Sequence, residues 1–86
     1  MKLFKKDIIN KLRDYLKHNI SQNELVDWAE NAIMESEFDE KDYQIIRNTL
    51  ARLGVSDVKE FGLTWEECVS IIRDLGYKIK LELEYA

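Results

Sequence analysis

The sequence predicts a mainly α fold: a compact bundle of about five helices, one of them short, with a single C-terminal β-strand that pairs antiparallel across a homodimer. Three observations lead there. Apolar residues recur at helical spacing from the first residues to Leu75. The helix boundaries are punctuated by capping residues and glycines. At Tyr77 the period changes to two and holds to Tyr85. The whole chain, 1–86, reads as one domain, with no proline, repeat or linker to divide it.

The first helix is predicted over about 4–19, with Ile8, Ile9, Leu12, Tyr15 and Leu16 on one stripe. Ser21 and Glu24 then form a capping box, in which each residue answers the other's backbone donor, and Ile20 and Leu25 stand where a hydrophobic staple packs. That starts a second helix, 22 to about 36, burying Leu25, Trp28, Ala29, Ala32 and Ile33. Asp39 and Asp42, flanked by Phe38 and Tyr43, make a weaker start for a third helix over 40–53, which turns Tyr43, Ile46, Leu50 and Leu53 inward. A short fourth helix is predicted over 57–61. Thr64 and Glu67 form another box and open a fifth over 65–75, with Trp65, Cys68, Val69, Ile72 and Leu75 inward.

Gly54, Gly62 and Gly76 each follow an apolar periodic run and precede an apolar residue, the pattern of left-handed C-terminal caps. In a Schellman arrangement Val55, Leu63 and Tyr77 would return to Leu50, Val58 and Ile72. All three glycines are thereby used, which leaves none for a phosphate-binding loop.

Over 77–85 the apolar face is Tyr77, Ile79, Leu81, Leu83 and Tyr85, and the charged face is Lys78, Lys80, Glu82 and Glu84. Such a strand needs a partner for its backbone donors and acceptors. Two copies paired antiparallel about Leu81 set Lys78 opposite Glu84 and Lys80 opposite Glu82, with Tyr77 facing Tyr85 and Ile79 facing Leu83. A slip of two residues opposes like charges, and a slip of one turns the apolar face outward. Two other partners are open to it: a short strand from the first residues, "MKLFK", or the edge of a different protein.

No apolar run exceeds three residues, and Asp7 and Asn10 interrupt the basic start, so neither a membrane span nor a secretory signal is expected and the cytoplasm is the expected compartment. A single cysteine and a single histidine exclude an internal disulfide and a zinc site of the usual kind. The net charge of −4 opposes general nucleic-acid binding. Its distribution says more, because residues 1–20 carry +4 and residues 21–42 carry −7.

Cys68 falls on the inward arc of the fifth helix and reads as a small buried apolar residue. His18, in the last turn of the first, suits the negative helix end and has no dyad partner at local spacing. No catalytic constellation is found, and no cofactor or metal is expected. The acidic run "ESEFDEKD" fails as a calcium loop, since the sixth position is Glu40 and the twelfth Ile46; it reads as a solvated connection ending in the Asp39 cap. The stretch "LARLGVSDVKEF" resembles a degenerate helix-turn-helix, with Ala51 one place too near Gly54 and a reading helix of Asp57, Lys59 and Glu60 that is close to neutral.

The outward arc of the second helix is the best candidate surface. Glu24, Asp27, Glu30, Asn31 and Glu35 form a negative ridge, which reads either as an ordinary solvated face partly neutralised by Lys6, Arg13 and Lys17 of the first helix, or as a docking surface for a basic protein. Small acidic helical proteins that neutralise a nuclease or other toxin offer the same size and charge. The expected function is therefore a non-catalytic protein–protein interaction module of bacterial type: an inhibitor of the antitoxin or immunity kind, or an adaptor. A DNA-binding regulator and a purely structural subunit are the alternatives.

Overall fold

The computed structural model describes residues 2–57 and 62–78. Within them four α-helices enclose one apolar core, and a small parallel strand pair joins the start of the chain to the connection between the second and third helices.

Strand β1, Lys2–Leu3, runs parallel to β2, Glu37–Phe38, with Lys2 level with Glu37 and Leu3 with Phe38. Parallel neighbours need a crossover, and here it consists of two whole helices. The Asp39 N–H donates to the Leu3 carbonyl at 3.0 Å, and Lys2–Asp39 and Lys5–Asp42 ion pairs follow at 3.8 and 3.7 Å. Leu3 is 1% exposed, so the strand is held chiefly by one buried side chain. The run read as a solvated connection thus contains a strand and a 3₁₀ turn, Glu40–Asp42. Asp39 makes no side-chain cap there; its carboxylate faces Lys2. The first residues do form a strand, but among the described residues its partner is β2.

Helix α1, Lys5–Leu16, starts with half a capping box: the Asp7 carboxylate accepts the Phe4 N–H at 2.8 Å, and since Phe4 has no side-chain acceptor the Asp7 N–H donates to the Phe4 carbonyl at 3.0 Å. It ends three residues earlier than the periodicity predicts. His18 adopts φ +62°, its N–H donating to the Tyr15 carbonyl at 3.1 Å and that of Asn19 to Asp14 at 2.8 Å. That is a Schellman cap with histidine in the left-handed position that glycine usually fills.

Helix α2, Gln22–Glu35, carries the complete box: Ser21 Oγ accepts the Glu24 N–H at 3.1 Å and the Glu24 carboxylate accepts the Ser21 N–H at 3.3 Å. Its buried arc is Leu25, Val26, Ala29 and Ala32; Ile33 lies at the surface and Trp28 is half-buried, both expected inward.

Helix α3, Tyr43–Gly54, begins after the 3₁₀ turn, and Tyr43 is 49% exposed against the Phe38 ring at 5.5 Å instead of being buried. Gly54 belongs to the helix and has no positive φ. The cap is supplied by Ser56, fully buried, whose N–H and Oγ both donate to the Leu53 carbonyl at 3.1 and 2.8 Å; its own carbonyl accepts from Gln22 Nε2 at 2.6 Å. This knot ties the end of α3 to the start of α2, the two helices that pack most extensively.

Helix α4, Trp65–Asp74, starts at Thr64, whose Oγ1 accepts the Glu67 N–H at 3.2 Å. The Glu67 carboxylate does not complete a box but pairs with Arg52 of α3, whose guanidinium also donates to the Gly62 carbonyl at 3.2 Å. Cys68, Ile72 and Leu75 face inward as the spacing requires, whereas Trp65 is 50% exposed because it sits in the first turn, ahead of the packed part of the helix. The exit matches the predicted Schellman cap: Gly76 has φ +89°, its N–H reaches the Arg73 carbonyl at 2.9 Å and the Tyr77 N–H reaches Ile72 at 3.1 Å.

Of the predicted C-terminal strand, only Tyr77 and Lys78 are described, and neither is in a strand. Ile79, Lys80, Leu81, Glu82, Leu83, Glu84 and Tyr85, with the antiparallel pairing about Leu81, lie outside the described residues, as does most of the predicted short helix over 57–61.

Candidate protein-binding face

All five residues of the predicted ridge, Glu24, Asp27, Glu30, Asn31 and Glu35, are exposed on α2. The complete capping box explains why the face is well placed, since it fixes the first turn and hence the phase of every residue after it. Glu24 is partly engaged in that box. Asp27, Glu30 and Glu35 form no ion pair among the described residues.

Lys6, Arg13 and Lys17 make no ion pair with the ridge among the described residues; Lys6 instead sets its ammonium 5.7 Å from the centre of the Phe4 ring. Lys2 and Lys5, at the start of the chain, pair instead with the acidic connection around β2.

Where α1 meets α2, a surface crevice of about 230 Å³ is lined by Leu3, Asp7, Asn10, Lys11, Asp14 and Trp28. The Lys11 ammonium stands 5.8 Å from the centre of the Trp28 ring, within range of a cation–π attraction. The helical spacing places Trp28 inward, and it does pack against the core while also facing this crevice. Its second role is legible in the spacing: Trp28 follows Glu24 by four residues and precedes Asn31 by three and Glu35 by seven, so it borders their stripe. Asp7, Lys11 and Asp14 share a stripe on α1 in the same way.

The remaining candidates are separate from this face. Cys68 is buried, and burial pushes its thiol above the ordinary value, a shift that nearby Arg52 partly offsets. His18 is exposed and serves as the α1 cap. Among the described residues no three His, Cys, Asp or Glu side chains are grouped to hold a metal ion, and no helix is long and apolar enough to cross a membrane. Of the helix-turn-helix stretch, α3 and the turn through Asp57 are described, and the would-be reading helix lies mostly beyond them.

Comparisons with protein families, with curated proteins and with solved structures found no match.

Proposed function

We propose that this chain is a non-catalytic interaction module, an inhibitor of the antitoxin or immunity type or an adaptor, that docks a basic protein on the acidic face of α2 and self-associates through its C-terminal strand. The observation that carries the reading is the ridge itself: carboxylates exposed along one rigid helix, without ion-pair partners among the described residues, although the helix beside it is basic. Uncompensated like charge on a helix face costs some stability, and the same field speeds encounter with a partner of opposite sign.

The test is capture from a bacterial lysate, with retained proteins identified by mass spectrometry. A basic protein held by the parent chain and lost from Asp27→Lys/Glu30→Lys supports the reading; unchanged capture removes the ridge from it. Self-association is tested by native mass. Lys80→Glu should separate the dimer, and Lys80→Glu/Glu82→Lys, which restores both attractive pairs in the opposite sense, should reform it.

A further inference from the structure

We infer that the crevice between α1 and α2 is an anchor site for an arginine side chain of a basic partner, with Trp28 as its stacking surface, Asp14 as its counter-charge and Lys11 as the internal cation it displaces. The inference rests on the proposed docking face and specifies where on that side of the molecule the partner would be gripped.

The crevice joins an apolar floor to acidic walls. Leu3 is buried beneath it, Trp28 is half-buried, and Asp7 and Asp14 stand on the α1 side. Asp7 is committed, because its carboxylate accepts the Phe4 N–H. The Asp14 carboxylate has no hydrogen bond or ion pair among the described residues. Lys11 shows the charge the crevice accepts, since its ammonium already lies over the indole. At 5.8 Å, near the outer limit of about 6 Å for such contacts, that hold is weak and exchangeable.

Arginine suits the site better than lysine. A guanidinium is planar, so it can lie flat on Trp28 while its edge offers two parallel donors to one carboxylate, and it is more weakly hydrated than an ammonium. Tryptophan and arginine are also the residues that most often dominate protein interfaces. The neighbouring ridge would steer the partner inward, and the crevice would hold it.

The test follows the Trp28 indole N–H by NMR, assigned with Trp65→Phe, during titration of the full chain with N-acetylarginine amide or with its neutral isostere, N-acetylcitrulline amide. A saturable shift with arginine alone supports the site. Lys11→Met, which removes the competing cation and keeps the aliphatic stem, should tighten arginine binding about two- to fivefold; Asp14→Asn should weaken it about two- to fivefold. Equal shifts with both compounds, or an arginine response unchanged by Lys11→Met, overturn the anchor. Asp27→Lys/Glu30→Lys separates the two readings. Lost capture with no arginine site leaves the ridge and removes the crevice, whereas an intact arginine site with unchanged capture does the reverse.

Discussion

Replacing His18 by glycine should make the protein more stable, although it deletes a side chain. His18 is exposed and holds φ +62°, in the left-handed region where Cβ crowds the following carbonyl. For an ordinary L-residue that conformation costs about 1–2 kcal/mol, and histidine, which visits it more readily than most, sits toward the lower end. Glycine removes the cost but gives the unfolded chain more freedom, an opposing effect of about 0.4–1 kcal/mol. The difference is a gain of up to about 0.6 kcal/mol, or at most roughly 5 °C in Tm for a chain of this size. The cap hydrogen bonds from residues 18 and 19 are made by backbone groups, so glycine keeps them. The assay is urea unfolding followed by circular dichroism, with His18→Ala as control. Alanine retains the Cβ and hence the strain, and should show no gain. Were His18→Gly no more stable than His18→Ala at unchanged m-value, the assignment of strain to this residue would be wrong.

Three further outcomes are expected. Leu3→Ala should cost about 2–5 kcal/mol by leaving a void under the α1–α2 crevice, and hydrogen exchange should show the Asp39 amide losing protection as β1 lets go of β2. Ser21→Ala and Thr64→Ala should each cost about 1 kcal/mol in urea unfolding, because each removes one side-chain acceptor from a helix N-terminus. The raised thiol of Cys68 favours the protonated form in the folded state, so its contribution is whole below the unfolded thiol's range near pH 8.5 and declines as pH rises beyond it; Cys68→Ala should flatten that part of the stability–pH profile in urea unfolding.

What the sequence revealed and what it concealed divide along the range of the interactions. The Ser21–Glu24 box and the Gly76–Tyr77 exit appear in the structure at the residues their spacing names, because each is settled within six residues. The pairing of β1 with β2 joins residues 35 apart through strands of two residues, too short to have a period. Gly54 looked like a stop because it follows a periodic run, yet the stop is Ser56, recognisable only once Gln22 is brought beside it. The His18 cap had no glycine to announce it. Among functional residues the ridge was legible, since one helix and its phase define it. The crevice was not, since it exists only where α1 lies against α2, and the half-buried Trp28 that packs on the core is also its wall.

Whether a cationic partner meets this protein on the α1–α2 side is decided by mapping backbone amide shifts on titration with an arginine octapeptide at about 0.1 M salt, where exposed charges more than about 10 Å apart are screened. Docking there should concentrate the shifts at Lys11, Asp14, Glu24, Asp27, Trp28 and Asn31 and leave the outer face of α4 unmoved. Shifts centred on α4, or spread without preference over every acidic residue, would contradict it.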